Sequence, residues 1–456
     1  MEKIFLFVLS FAIIIWLSSI LFLKWNTPKI IITPEQALFD ESIDISISNL
    51  AAHEQITLEI SFKDDVNNTW LSRATFKADE NGVVNVATQS PVSGSYRGID
   101  PMGLFWSMTR KNKKAPLVVD SKKSETVITL SLFSQDKLRT TKTISRLLVS
   151  PDIERRKVRE HGIVGTLFYP KNKKNVPGII VIPGSNGGIP ETISQLLASH
   201  GYAVLALGYF GVEGLSKKVE NTPLEYFQNA IQWFKKQPQV SESRIAFLGH
   251  SKGAELALLL AATFPEEINA VIANAPTSLV YGGIPDETKP AWTYKGSPIP
   301  FMPSLGYKQA LKAAKEGKIP FHKGTFEDPY EETPIFLYGM KEFHENIDAA
   351  TIPVENIRCP IMLISGEDDK MFPSTLHGNL IMERLDKKGS TVERKHLHFP
   401  DAGHVIRFPY VPSSDLAICL PVVNIWFVFG GTAEGNARAN KESWQEVLNF
   451  LKKTLQ

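Results

Sequence analysis

Residues 244–264, RIAFLGHSKGAELALLLAATF, decide the fold. An apolar run from Ile245 to Leu248 stops at Gly249, a serine stands between two glycines, and an Ala/Leu-rich helical pattern begins at once. A short apolar run before such a corner reads as a buried strand, and the run after it reads as a helix. Gly249-His250-Ser251-Lys252-Gly253 then fits G-x-S-x-G. In that turn small flanking residues let the chain reverse while the Ser hydroxyl is lifted above a sheet. The five-residue pattern alone is common. The strand before it and the helix after it give it weight, because a Ser that merely caps a helix needs no glycine on either side.

Outward from this corner the same rhythm repeats. GIIVIPG (178–184), YAVLALG (202–208), INAVIANAP (268–276) and PIMLISG (360–366) are short, nearly continuous apolar runs. Amphipathic helical patterns lie between several of them, among them Leu224–Lys236, and another, Lys441–Leu455, closes the chain. Strands buried on both faces and alternating with helices predict an α/β protein with a mostly parallel, doubly wound sheet. With the serine corner, this is the α/β-hydrolase fold, expected over 151–456. From about 277 to 355 the alternation lapses into Pro, Gly, Lys and aromatic residues, which predicts a lid-like insertion.

Residues 26–150 follow a different period. Ile43, Ile45 and Ile47 alternate with Asp44 and Ser46, and Ile56, Leu58, Ile60 and Phe62 repeat the pattern. Period-two segments separated by turn residues predict an all-β, immunoglobulin-like sandwich ahead of the catalytic domain. Before it, residues 4–23 carry no charge, and Lys3 and Lys24 flank them. About 20 apolar residues span about 30 Å as a helix, so residues 1–25 are expected to form a transmembrane anchor. The expectation is a single-pass membrane protein whose catalytic domain faces an undetermined side, since lysines flank the segment at both ends.

Composition narrows the chemistry. The chain has 456 residues with 50 basic and 48 acidic side chains, so no electrostatic footprint points to nucleic acid. Its two cysteines, Cys359 and Cys419, without CxxC spacing, make neither a disulfide framework nor a cysteine zinc site; two buried free thiols are expected, with one isolated bridge as the alternative. His396 and His398 would share one face of a strand, but no third ligand accompanies them, so no metal is expected. The loop PGSNGG (183–188) lacks both G-x-G-x-x-G and a P-loop ending. No cofactor is expected.

A serine hydroxyl becomes a nucleophile when an imidazole, steered by a carboxylate, takes its proton. In this fold the acid follows the serine and the histidine follows the acid. ISGEDDKMFP puts Asp368 and Asp369 just past an apolar strand; Asp369 is preferred for its G-x-x-D spacing, with Asp368 the alternative. HLHFPDAGHVI offers three histidines. His404, after a Pro-Asp-Ala-Gly turn, is the expected base, ahead of His396 and His398. The oxyanion hole needs two N–H donors, expected from the backbone of Lys252 and of either Ser185 or Asn186.

Several stretches resemble one family. GSYRGIDPMGLFWSM (94–108), GTLFYP, LEYFQNAIQWF, GHSKGAELAL, GEDDKMF, PDAGHVI, FPYVP and WQEVLNFLKK are similar, in order, to segments of the acyl-CoA thioesterases and bile acid-CoA:amino acid N-acyltransferases. The resemblance implies attack of Ser251 on an acyl-CoA thioester, an acyl-enzyme, and its hydrolysis by water. Transferase members typically carry Cys as nucleophile, so Ser251 implies hydrolysis over amide formation. Acyl-CoA, or another acyl ester, is the implied substrate. The alternatives are a membrane-anchored extracytoplasmic carboxylesterase with the same triad, an acyl-CoA:amino acid N-acyltransferase, and a non-catalytic binding protein.

Overall fold

The computed structural model of the chain describes residues 27–114, 124–420 and 425–455. These fall into two compact units, one of residues 27–37, 41–111 and 125–147, the other of 38–40, 112–114, 124 and 148 onward.

The first unit is built from antiparallel strands in two sheets. Lys29–Thr33, Asp44–Ser48 and Val84–Asn85 form one, and a second runs Lys137–Leu147, Glu125–Ser134, Gln55–Lys63, Thr69–Lys77 and Ser93–Gly94. The period-two pattern appears in the burial: Ile43, Ile45, Ile47, Ile56, Leu58 and Ile60 are buried while Asp44 is exposed, and Phe62, near the end of its strand, is half-buried. One helical turn, Gly103–Trp106, interrupts the strands with all four residues buried. The Trp106 indole N–H donates to Asp100 at 2.8 Å, which ties this turn to its own loop.

The second unit is organised by an eight-stranded sheet. Its strands are β1 (Ile153–Glu160), β2 (Ile163–Pro170), β3 (Val176–Ile182), β4 (Ala203–Gly208), β5 (Val240–His250), β6 (Ala270–Asn274), β7 (Ile361–Gly366) and β8 (Arg394–Phe399). They lie in the order 1-2-4-3-5-6-7-8, antiparallel across β1, β2 and β4 and parallel thereafter, which is the α/β-hydrolase arrangement. Strands β3, β4 and β7 are buried along their whole length, as their unbroken apolar sequences require.

Helices cover both faces. On one lie α2 (Leu224–Lys235), α3 (Lys252–Thr263) and α6 (Ser374–Lys387); on the other lie α1 (Glu191–Ser199) and α7 (Ala433–Leu455). Every residue of α3 from Lys252 to Ala262 is buried, which explains an Ala/Leu composition with little amphipathic contrast. Helix α7 starts eight residues before the expected Lys441. Its first turns read as polar because Asn436 and Asn440 serve a loop rather than the apolar core. The insertion carries the helices α4 (Tyr307–Lys315) and α5 (Thr333–Glu342) and a further α-helical turn, Ile347–Ala350. Cys359 is a free cysteine, buried, with its thiol pushed up to about 12 by burial.

The expected single-pass membrane placement is corrected. Among the described residues no helix is long and apolar enough to cross a membrane. The longest, α7, has 23 residues but carries Arg438, Lys441, Glu442 and Glu446 at its middle. Segment 4–23, on which the anchor was expected, lies outside the described residues.

Candidate active site

Three loops at the carboxyl ends of β5, β7 and β8 hold the expected residues. Ser251 sits between β5 and α3 with φ 55° and ψ −120°, a region that costs a non-glycine residue about 1–3 kcal/mol. The corner is tight enough to dictate its neighbours. A Cβ on Gly249 would stand 2.0 Å from the Gly253 carbonyl oxygen, and one on Gly253 would stand 2.5 Å from that of Pro183. The Ser251 N–H donates to the Asn274 carbonyl of β6 at 2.8 Å, so the strained residue is anchored to the sheet.

His404 Nε2 lies 3.1 Å from Ser251 Oγ, and His404 Nδ1 lies 2.9 Å from Asp369 Oδ2. Both His404 and Asp369 are buried. The Asp369 carboxylate is saturated: Oδ1 accepts the N–H groups of Met371 and Phe372 at 3.0 Å each, and Oδ2 also accepts the Ser374 hydroxyl at 2.6 Å. Asp368 points elsewhere, accepting the Gly431 N–H at 2.8 Å and pairing with Lys370 at 3.0 Å. His396 and His398 are not brought to Ser251. They lie side by side on β8, bonded to Ser365 at 2.8 Å and Glu367 at 2.5 Å respectively. Among the described residues no three metal-ligating side chains converge.

Of the expected oxyanion donors, Lys252 directly follows the serine, and the turn that carries Ser185 and Asn186 reaches it through Gly184. Lys252 is the first residue of α3, so its N–H has no intrahelical acceptor and belongs to the positive end of the helix dipole. Across from it, a Cβ on Gly184 would lie 3.4 Å from Ser251 Cβ. Ser185 and Asn186 follow directly in an exposed turn, closed by the Gly187 N–H on the Gly184 carbonyl at 3.0 Å.

Several side chains around this site carry no motif. Asn436 Oδ1 accepts the Gly403 N–H at 2.8 Å and Asn440 Oδ1 accepts the Arg407 N–H at 2.6 Å. With the His404 N–H on the Phe429 carbonyl at 2.8 Å, these bonds fix the histidine loop from a helix some thirty residues on. The His250 ring packs 5.1 Å from that of His404, and burial, then the charges of His404 and Arg407, pull it down to about 3. His250 therefore stays neutral beside the imidazole. Burial, then Glu287 and Asp369, push the Glu332 carboxyl up to about 8. The Lys252 ammonium turns away from the serine into a buried pair with Glu255 at 2.7 Å. The i,i+3 spacing of Lys252 and Glu255 was the one available signal for that pair.

Two family models match the chain: "BAAT / Acyl-CoA thioester hydrolase C terminal" over residues 222–456 and "Acyl-CoA thioester hydrolase/BAAT N-terminal region" over 40–160. The chain belongs to the acyl-CoA thioester hydrolase/BAAT family. It is 32% identical over 438 residues to the acyl-coenzyme A amino acid N-acyltransferase 2 of Mus musculus, covering 94% of this chain and 98% of that one. It is 29% identical over 437 residues to the acyl-coenzyme A thioesterase 6 of Mus musculus, with 92% and 95% covered. The bile acid-CoA:amino acid N-acyltransferase of Mus musculus is 28% identical over 440 residues, with 94% and 98% covered. Family membership thus extends over both units, and the relatives carry both hydrolase and transferase names.

Proposed function

We propose that the protein is an acyl-CoA thioesterase working through Ser251, His404 and Asp369. The observation that carries the reading is the unbroken pair of hydrogen bonds, 3.1 Å from Ser251 to His404 and 2.9 Å from His404 to Asp369, at the strained corner of a member of this family. Asp369, saturated by other donors, stays an acceptor and keeps the Nδ1 proton on His404. Nε2 is then free to accept the Ser251 proton. Ser251 Oγ attacks the thioester carbonyl, and the developing oxyanion is met by the N–H of Lys252 and that of Ser185 or Asn186. The C–S bond breaks, His404 gives its proton to the departing thiolate, and the acyl group remains as an ester on Ser251. Water, deprotonated by the same imidazole, releases the carboxylic acid and restores the serine.

The names of the relatives favour one other reading, an N-acyltransferase in which an amino acid amine replaces water. Ser251 supports hydrolysis instead, because an oxygen ester is less activated toward an amine than the thioester that a cysteine nucleophile would form. Turnover of palmitoyl-CoA with and without glycine or taurine, products resolved by mass, tests both. Free palmitate as the main product in each case is expected, and Ser251→Ala is expected to lower turnover by ~10³ or more with folding intact. A main product of N-palmitoyl amino acid would replace the hydrolase reading, and undiminished turnover in Ser251→Ala would remove the mechanism.

A further inference from the structure

Behind the nucleophile lies a buried polar assembly that the proposed mechanism does not use. The Lys252 ammonium donates three bonds: to Glu255 Oε1 at 2.7 Å and to the carbonyls of Tyr281 and Gly282 at 2.8 and 3.0 Å. Glu255 accepts from the Trp292 indole at 2.7 Å through Oε1 and from the Tyr281 N–H at 3.1 Å through Oε2. Both side chains are almost entirely buried, at 8% and 2% exposure. A buried ion pair contributes little net stability, since desolvation of both charges offsets their attraction. Its persistence here calls for another use, and its bonds show one. The peptide groups on both sides of Tyr281 are held, the N–H by Glu255 and the C=O by Lys252.

The ring of Tyr281 extends from that clamped backbone into an aromatic triangle. It lies 5.3 Å from Phe336 of α5 and 5.5 Å from Phe372, which are themselves 4.9 Å apart. Phe372 is tied to the acid by its own N–H on Asp369 Oδ1 at 3.0 Å. Phe336 and Phe372 are only half-buried, which leaves aromatic surface open next to the triad. The apolar cluster continues through Met302 and Met340. An apolar wall beside a reacting carbonyl suits the alkyl part of an acyl group.

We infer that the Lys252–Glu255 pair is a positioning device: by clamping the Tyr281 peptide to the helix behind Ser251, it sets the aromatic wall Tyr281–Phe336–Phe372 where the alkyl chain of the substrate lies. This rests on the acyl-CoA reading and adds its specificity element. The wall serves long chains and is irrelevant to short ones. Loosening it therefore changes discrimination between chain lengths, whereas a general loss of packing lowers all substrates together.

The test is the ratio of kcat/KM for palmitoyl-CoA to that for butyryl-CoA, in wild type, in Lys252→Met/Glu255→Gln and in Tyr281→Leu. The double substitution removes both buried charges together and leaves neither uncompensated. A fall in the ratio of tenfold or more in both variants is expected. An unchanged ratio in Tyr281→Leu overturns the wall, and an unchanged ratio in a folded double variant overturns the clamp. If the double variant does not fold, the clamp is read in Glu255→Gln, whose amide nitrogen cannot accept and so releases either the Tyr281 N–H or the Lys252 and Trp292 donors; an unchanged ratio there overturns the clamp, while Phe336→Leu, for which the same fall is expected, joins Tyr281→Leu in testing the wall. If the wild type turns over no acyl-CoA, the thioesterase reading fails by itself, and the ratio is read on p-nitrophenyl palmitate and butyrate.

Discussion

Asp369→Asn is the sharpest test of the arrangement around His404, because the hydrogen bonds dictate how the new amide must sit. Asp369 Oδ1 accepts two main-chain N–H groups, from Met371 and Phe372, so that position must remain an oxygen. The amide nitrogen is thereby directed to the place of Oδ2, facing His404 Nδ1 at 2.9 Å. Ser374 can rotate its hydroxyl to accept, but Nδ1 can accept from the amide only by giving up its proton. The imidazole then carries its proton on Nε2, the tautomer unable to take one from Ser251. In a triad the wrong tautomer costs roughly 10⁴ in kcat, about 5.5 kcal/mol of transition-state stabilisation. Shape is nearly unchanged, so the melting temperature should move by only a few degrees. The control is Asp368→Asn, whose side chain is 44% exposed and paired with Lys370, and which should stay within roughly threefold of wild type. The assay is release of the CoA thiol from palmitoyl-CoA under saturating substrate. Activity of Asp369→Asn within tenfold of wild type, or a larger loss in Asp368→Asn, would refute the assignment of the acid.

Two further outcomes follow from the same geometry. Gly249→Ala sets a methyl 2.0 Å from a backbone carbonyl that no rotamer change can move, so the start of α3 must shift. A displacement of about 1 Å at the nucleophile costs about 10² in rate; a folded Gly249→Ala enzyme with wild-type turnover contradicts the steric account. Burial pulls His250 and His377 down to about 3, against an ordinary value near 6.5. The unfolded chain therefore binds more protons than the native one below about pH 6.5. Their contribution to stability is present above that pH and is lost as pH falls toward 3, at up to about 1.4 kcal/mol per pH unit each. Urea midpoints at pH 7.5 and 5.0 should diverge less in His377→Gln, and an equal divergence in that variant would show that His377 is not a buried neutral group.

The sequence by itself determined what is local or periodic. Unbroken apolar runs in β3, β4 and β7 announced strands buried on both faces, and alternation in Asp44–Ser48 announced a half-buried sheet. The serine corner was legible because the close approach of Gly249 to Gly253, and of Gly253 to Pro183, excludes every other residue from those two positions. His404 and Asp369 were expected from chain order together with the Pro-Asp-Ala-Gly turn and the G-x-x-D spacing, and the structure places both in one hydrogen-bonded line with Ser251. What only the tertiary structure decided involves partners far apart in sequence. Asn436 and Asn440 precede the helix expected from Lys441 and belong to no motif, yet they hold the His404 loop. Lys252 entered the sequence reading for its backbone N–H, and its side chain is buried with Glu255 against Tyr281 and Trp292. The physical reason is the same in both cases. An apolar side chain reveals its burial through periodicity, whereas a polar one is buried only when a specific acceptor or donor meets it, and that partner is chosen by the packing of the whole fold.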